Sequence, residues 1–219
     1  MRIADLCCGE GGAAAGLHQA YPDAEIVGVD IRPQPRYPFA FVLGDALDFD
    51  LSPFDLIWAS WPCQRYMTGG LIDRAAAPDL VTIGRQKLQA WGGPYVMENV
   101  PGAPLRAGLM LCGSMFGLRI RRHRLFEANW PLPLAPAGCQ HHHLITGVYG
   151  HPHGQKGAWQ GTKPMLPSNA QTWAREMEID WMTPHGLSQA VPPAYSRYIG
   201  TAFTAYAIAA SATVECRDR

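Results

Sequence analysis

Five short apolar segments, each followed by a turn or a chemically distinctive residue, dominate the first hundred residues of this sequence. They are predicted as β-strands over 2–6, 25–31, 39–43, 54–60 and 94–100. Helical patterns lie between them, in the alanine-rich segment that ends near Tyr21 and over 78–91, and a last helix is predicted over 193–212. Apolar strands that alternate with helices indicate an α/β fold with a mostly parallel sheet.

Ligands bind such sheets at the carboxyl ends of the strands, near the point where the strand order reverses. The distinctive residues of this sequence lie at those ends. They are Gly9–Gly12, Asp30, Asp45, Cys63 and Glu98. Because five strand ends carry residues that can bind or react, we expect a functional site along one edge of the sheet.

The charged residues are unevenly distributed, although the formal net charge is zero. Residues 1–60 contain nine acidic and three basic side chains, so the rest of the chain has an excess of basic ones. Four arginines of this basic part are clustered: Arg119, Arg121, Arg122 and Arg124. The cluster predicts contact with a polyanion such as nucleic acid, and a solvated face is the alternative.

The six cysteines form no CxxC pair, and no secretory signal precedes them, so a disulfide framework is not expected. Zinc ligands are available in one cluster, which consists of Cys139, His141, His142, His143, His151 and His153. Its spacing matches no standard zinc motif. We therefore predict no metal site, and we interpret the histidines as loop residues or as surface groups near phosphates.

The glycine turn after the first strand indicates a nucleoside cofactor. Gly9–Ala14 fits the dinucleotide pattern G-x-G-x-x-A, and Asp30 lies about 20 residues further on, where a ribose-binding acid belongs. Asp45 is placed to accept a hydrogen bond from an adenine amine or a sugar, and a turn or cap is its alternative role. Two acids around one nucleoside favour a cofactor without phosphates, such as S-adenosylmethionine. A dinucleotide oxidoreductase explains the same residues but leaves Cys63 and Glu98 without a function.

The other half of the edge carries a reactive group. Cys63 follows Pro62 just past the fourth strand, so its thiol is expected to be partly exposed and able to react. Glu98 closes the next strand and is expected beside Cys63, which suggests covalent attack with acid assistance. Arg122 and Arg124 lie in a third segment that can return to the same edge and hold a carbonyl oxygen or a phosphate.

Together these motifs resemble those of the DNA (cytosine-5) methyltransferases, a family built on the class I S-adenosylmethionine-dependent fold. The resemblance rests on segments that occur in the family's order: Asp5–Gly12, Gly28–Asp30, Gly44–Asp45, Pro62–Gln64, Glu98–Val100, Ile120–Arg124 and Ile199–Phe203. The sequence departs from the family pattern at Cys7, Trp61, Ile120 and Thr201. None of these departures removes a nucleophilic or proton-transferring group.

The resemblance implies a Rossmann-like enzyme that methylates C5 of a cytosine flipped out of duplex DNA, through a covalent adduct with Cys63. Glu98 is then expected to bind N3 and the 4-amino group of the base, and Arg124 its O2. Arg122 supports the pocket or binds the DNA backbone, and Gln64 belongs to the nucleophile motif. The expected S-adenosylmethionine site consists of Asp5, Cys7, Gly9, Gly11, Gly12, Asp30, Ile31, Asp45, Ala46 and Thr201.

We divide the chain into a catalytic domain, 1–126 and 173–219, and a small, loop-rich target-recognition subdomain, 127–172. Segment 65–77 is predicted as a flap over the base. The short recognition segment predicts a target of about two to four base pairs, since each bidentate base contact discriminates modestly. A tRNA-directed member of the same family shares every motif and stays an open alternative. We expect a cytoplasmic monomer that does not contact membranes.

Overall fold

The computed structural model describes residues 1–66, 77–106, 108–141, 145–148 and 168–217. Five parallel strands form the centre of its main sheet: β1 (Arg2–Leu6), β2 (Glu25–Asp30), β3 (Ala40–Leu43), β4 (Leu56–Ala59) and β5 (Tyr95–Asn99). Four shorter or later strands follow: β6 (Leu109–Leu111), β7 (Ile120–Arg121), β8 (Arg124–Ala128) and β9 (Thr146–Gly147). The sheet order is β3-β2-β1-β4-β5-β8-β6, and β7 pairs separately with β9.

Helices cover both faces of this sheet. They are α1 (Gly12–Ala20), α2 (Leu80–Trp91), α3 (Ala170–Met177), α4 (Pro184–Gln189) and α5 (Pro193–Arg217). Side chains of β1 alternate between two cores: Ile3 packs with Leu17 of α1 and Tyr195 of α5, whereas Ala4 belongs to the core that contains Leu88 of α2. A sheet buried on both faces accounts for the continuous apolar runs in its strands.

The predicted α/β fold is confirmed, and the five parallel strands lie within two residues of their predicted bounds. The sequence did not indicate β8, which carries Arg124 and Glu127 and therefore lacks an apolar run. This strand is antiparallel to β5, with Asn99 opposite Leu125 and Glu98 opposite Phe126. The start of β8 therefore lies at the carboxyl end of β5, among the predicted site residues.

A third buried cluster connects β7 and β9 with the segment before α5. It contains Ile120, Val148, Trp173, Met177, Ile179, Met182, Leu187 and Ala190. Much of the predicted recognition subdomain, 142–144 and 149–167, lies outside the described residues, so that division of the chain stays a prediction. Among the residues that are described, no helix combines the length and hydropathy needed to cross a membrane.

Candidate active site

The reacting half of the site is organised around a buried ion pair between β5 and β8. Arg124 Nε lies 2.8 Å from Glu98 Oε1, and both side chains are almost completely buried. Ser60, just past β4, donates a further hydrogen bond to the Glu98 carboxylate, and Arg124 Nη1 donates to the His123 carbonyl at 2.9 Å. Burial raises the pKa of Glu98, although the arginine and the serine act in the opposite direction. The carboxyl group is therefore able to hold a proton.

Cys63 lies in the field of this pair. Burial and the Glu98 carboxylate raise the pKa of the Cys63 thiol, and Arg124 partly offsets them. Cys63 is the first residue of a turn in which the amide of Tyr66 donates to the Cys63 carbonyl at 2.8 Å. Gln64 lies within this turn and is exposed. The structure thus brings the cysteine, the glutamate and Arg124 together as predicted, while Gln64 has no described side-chain contact with them.

Asn99 ties the end of β5 to the segment that carries the cysteine. Its Nδ2 donates to the Trp61 carbonyl at 2.8 Å, and its Oδ1 accepts from the Val100 amide at 2.9 Å. The Trp61 ring is buried against Gly84 of α2, where a side chain larger than glycine would collide with it. The segment just before Cys63 is therefore attached to the end of β5 through Asn99 and to α2 through the packing of the Trp61 ring.

Arg122 has a structural position. Its side chain is fully buried and donates to the carbonyls of Val148 (2.6 Å), Ala190 (2.8 Å) and Ser188 (2.9 Å). Of the two roles expected for Arg122, this burial excludes contact with the DNA backbone in this conformation. Support of the pocket from behind is the role that remains, because Arg122 precedes Arg124 by two residues.

The arginine cluster is less available to phosphates than its sequence suggested. Arg119 forms a bidentate ion pair with Glu176, with N–O distances of 2.7 and 3.0 Å. Arg122 and Arg124 are buried against protein groups, whereas the side chains of Arg119 and Arg121 are exposed. Arg122 and Arg124 therefore hold the fold or the site together, whereas contact of Arg119 and Arg121 with phosphates stays a prediction.

The cofactor half begins with a loop of left-handed backbone after β1. Cys7, Gly9 and Gly11 have φ angles of 56°, 51° and 88°. A Cβ atom at Gly11 would lie 2.8 Å from Pro38 Cδ, so this position requires glycine, whereas a Cβ at Gly9 would meet nothing within 4 Å. The loop thus exposes its backbone to open space at Gly9, where a ligand is able to approach closely.

Asp5 is the most unusual group of this half. It is completely buried at the centre of β1, its Oδ2 accepts a hydrogen bond from Tyr37 at 3.4 Å, and its Oδ1 has no hydrogen-bond partner in the described structure. Burial raises the pKa of Asp5 well above its ordinary value. The hydrogen bond from Tyr37 acts in the opposite direction, and the nearby Asp30 charge raises the pKa further. An unpaired buried carboxylate oxygen is costly. A hydrogen-bond donor or a positive charge on a bound cofactor such as S-adenosylmethionine would interact favourably with this oxygen.

The other predicted cofactor residues lie at the ends of β2 and β3. Asp30 accepts from the amides of Gly9 and Arg32, each at 3.0 Å, so it also holds the glycine loop in place. Ile31 is 70% exposed, which leaves an apolar surface beside the loop. Asp45 accepts from the Leu47 amide at 2.8 Å in a turn, which was its alternative role.

Ala46 follows Asp45 and is buried in the α2-side core, so its side chain packs inward. Thr201 does not reach the glycine loop. It lies on α5 next to Gly200, whose carbonyl accepts from Tyr21 at the far end of α1. Because α5 runs in the same direction as α1, later residues of α5 lie progressively farther from the glycine loop. The assignment of Thr201 to the cofactor site is therefore wrong.

Residues before α5 cover the loop instead. Gly12 lies against the backbone of Val191, and Glu10 accepts from the Thr183 amide (2.6 Å) and hydroxyl (2.5 Å). No sequence pattern indicated Glu10, Ser60 or Tyr37 as supporting residues, because each acts through a partner far away in the chain. The predicted flap lies mostly outside the described residues, although its ends meet where Arg65 donates to the Ala77 carbonyl at 2.6 Å.

No protein-family model matches this sequence, and no curated protein matches it. Among solved structures, the fold is similar to that of the methyltransferase EhMeth of Entamoeba histolytica, with a TM-score of 0.55 and 11% identity over 90% of this chain and 96% of that one. The chain therefore has the fold of a class I methyltransferase.

Two other methyltransferase structures match in part. One is the plantazolicin methyltransferase BpumL in complex with a pentazolic desmethylPZN analog and SAH; its TM-score is 0.31 and its identity 16%, over 46% of this chain. This match spans only 39% of the BpumL chain. The other is an antibiotic-related methyltransferase, with a TM-score of 0.36 and 12% identity over 58% of this chain and 86% of that one. These partial matches provide no further evidence about the fold beyond the similarity to EhMeth.

Proposed function

We propose that this protein is a DNA cytosine-5 methyltransferase that uses S-adenosylmethionine and forms a covalent adduct between Cys63 and a flipped-out cytosine in duplex DNA. The observation that carries the proposal is the buried Glu98–Arg124 pair next to Cys63, at the carboxyl edge of the sheet. A nucleophile, a carboxyl group that can hold a proton and a guanidinium group are what addition to a cytosine ring requires.

C5 of cytosine is a poor nucleophile, and addition of the Cys63 thiolate to C6 turns the ring into an enamine that is reactive at C5. The thiol must lose its proton first, because the thiolate is the attacking form. Its raised pKa keeps it protonated in the free enzyme, which protects it from unproductive reactions. After methyl transfer, C5 loses its proton to water, the bond between C6 and the Cys63 sulfur breaks to release the thiolate, and N3 returns its proton to Glu98.

Glu98 and Arg124 act on the opposite side of the base. The ring gains electron density at N3 as the sulfur adds to C6, and a protonated Glu98 is able to supply a hydrogen bond and a proton there. Arg124 is then expected to turn one N–H group toward O2 of the base. The existing pair, with an N–O distance of 2.8 Å, holds both groups at the edge where the base would bind.

The cofactor would be held by the first three strand ends, and it supplies the methyl group. Asp5 offers a buried carboxyl oxygen without a hydrogen-bond partner in the described structure, the Gly9 backbone allows close approach, and Ile31 presents an apolar side chain to an adenine ring. Because a cytosine cannot reach Cys63 from within a stacked duplex, the base has to be flipped out, which costs a few kcal/mol, to be recovered by pocket contacts.

The proposal is tested with S-adenosylmethionine that carries a labelled methyl group, incubated with mixed-sequence duplex DNA and, separately, with tRNA. We expect 5-methylcytosine in the DNA after hydrolysis to nucleosides. Label confined to tRNA would assign the same chemistry to an RNA substrate. Label on N4 of cytosine, or on a small molecule alone, would contradict the proposed reaction.

Duplex DNA that contains 5-fluorocytosine tests the covalent step, because fluorine cannot leave C5 as a cation and the adduct is trapped. Peptide mapping is expected to find the base on Cys63. The matched control is Cys63→Ser, which keeps the shape of the side chain but should form no adduct while it still binds S-adenosylmethionine. An adduct on Cys112 or Cys139 would overturn the choice of nucleophile.

A further inference from the structure

A second cluster of chemically active side chains lies beside the catalytic edge and has no part in the proposed reaction. The cluster consists of two cysteines and two histidines from three segments of the chain: Cys112, His123, Cys139 and His141. Each offers one ligand atom, and the four atoms lie within 4.8 Å of one another. We call this group the Cys2His2 cluster. Cys139 and His141 were among the possible ligands expected from sequence, whereas Cys112 and His123 were not, and no metal was predicted.

The distances within the cluster are close to those around a tetrahedral ion. Nε2 of His141 lies 3.3 Å from Cys112 Sγ and 2.9 Å from Cys139 Sγ, and Nε2 of His123 lies 3.3 Å from Cys139 Sγ. Tetrahedral zinc, with bonds of about 2.3 Å to sulfur and about 2.0 Å to nitrogen, separates such atoms by about 3.5 Å. Small outward movements of the ligands would therefore make room for an ion.

We propose that the Cys2His2 cluster is a structural zinc site. Two thiolates and two neutral imidazoles are a ligand set that zinc prefers, and four protein ligands close the coordination sphere without a position for substrate. Binding of Zn²⁺ releases the two thiol protons to solvent. The resulting site is electrically neutral, which suits its position beside the positively charged Arg121 and Arg124.

A hydroxyl group supports both sulfur atoms from outside. Ser114 Oγ donates to Cys112 Sγ at 3.6 Å and also lies 3.6 Å from Cys139 Sγ, while the Gln140 amide donates to the same hydroxyl at 3.1 Å. Hydrogen bonds from such outer groups orient ligands and tune metal affinity. Ser114 thus links the ligand that follows β6 to the loop that carries the two later ligands.

The zinc ion would connect three parts of the chain that the parallel sheet does not hold together. Cys112 follows β6, His123 lies between Arg122 and Arg124 at the start of β8, and residues 139–141 follow the last strand of the main sheet. The ion would fasten this later loop next to the arginine that faces the proposed base pocket. This placement does not depend on the proposed reaction.

Metal analysis of the purified full-length chain tests the proposal. After dialysis, elemental analysis is expected to find about one zinc per chain. Cobalt added to the reduced, metal-free chain should give the visible absorption of tetrahedral cobalt with thiolate ligands. Cys139→Ser should lose both signals, and circular dichroism would show whether this exposed substitution leaves the fold intact. Ser114→Ala should keep the site but weaken zinc binding by about 10- to 100-fold.

Cys63→Ser is the matched control, because it removes a thiol from the proposed reaction centre and should retain the full zinc content. Loss of methyl transfer in this variant with zinc retained would separate the two proposals. A reduced wild-type chain that binds neither zinc nor tetrahedral cobalt would overturn the assignment. So would a Cys112–Cys139 disulfide recovered by peptide mapping from chain purified under reducing conditions.

Discussion

Strand β8 contributes to two buried arginine–glutamate pairs, one on each face of the sheet. Arg124 pairs with Glu98 at the strand end, while Glu127 pairs with Arg85 of α2. The second pair is bidentate, with two N–O distances of 2.7 Å, and it also engages the Pro104 carbonyl and the Arg106 amide. The first has an N–O distance of 2.8 Å and lies beside a thiol.

This difference separates a structural pair from the pair that we propose to take part in the reaction. The Arg85–Glu127 pair makes so many hydrogen bonds that little of it is left for a ligand, and its charges stabilise the packing of α2 on the sheet. The Glu98–Arg124 pair lies beside Cys63 at the edge where ligands bind α/β sheets. Burial alone therefore does not separate the two pairs; position at a strand end beside a thiol does.

The largest expected effect is on activity. Glu98→Gln keeps the shape of the side chain but cannot deliver a proton to N3, so methyl transfer to cytosine should fall by about 10²- to 10⁴-fold. Glu127→Gln is the matched substitution in the other pair and should retain most of the activity per folded molecule. Single-turnover rates with labelled cofactor measure both. Comparable losses in the two variants would mean that Glu98 has a structural role only.

The free energy of unfolding should be affected most at the other buried pair. Glu127→Gln leaves the Arg85 charge buried without its anion, and loss of one partner of a buried pair costs about 3–5 kcal/mol. Urea unfolding measures this loss, with Glu25→Gln as the control, because Glu25 belongs to the exposed pair with Arg2 and should change stability very little. If Glu25→Gln and Glu127→Gln destabilised the chain equally, the buried pair would have no special structural role.

Asp5 extends the comparison to a buried acid without an arginine. Because burial raises its pKa, the folded chain holds a proton on Asp5 that the unfolded chain releases above pH of about 4. Stability should therefore fall as the pH rises toward the pKa of the folded state. Asp5→Asn should reduce this fall, because an amide does not titrate in this range. Urea unfolding at pH 5 and pH 8 measures it; identical pH dependence in both chains would contradict the prediction.

The smallest effect is on the Cys63 thiol itself. The Glu98 carboxylate raises and Arg124 lowers its pKa, so Glu98→Gln should shift alkylation of Cys63 by iodoacetamide to lower pH and Arg124→Ala to higher pH. We expect shifts of about one pH unit or less, because water screens part of each charge. Peptide mass spectrometry follows the Cys63 peptide alone. A shift in Glu127→Gln as large as in Glu98→Gln would show that the two pairs do not differ in their effect on the thiol.

The parts of the site that local pattern determines were predictable from sequence. The glycine loop, Cys63 and Glu98 each follow an apolar run, and parallel strands bring such ends to one edge. The partner of Glu98 was expected only in outline, because Arg124 reaches it through an antiparallel strand without an apolar run. Thr201 was misplaced because a motif does not state the direction of its helix. The cluster of Cys112 and His123 with later residues depends on tertiary contacts that no spacing rule contains.

The contact between Glu10 and Thr183 has a consequence for the order of events during synthesis. The two residues are 173 positions apart, and the carboxylate that braces the glycine loop has no partner until the later one has been made. At about 5–20 residues per second, a ribosome takes about 9 to 35 seconds to cover that distance. The loop that would hold the nucleoside is therefore translated well before the contact that completes it.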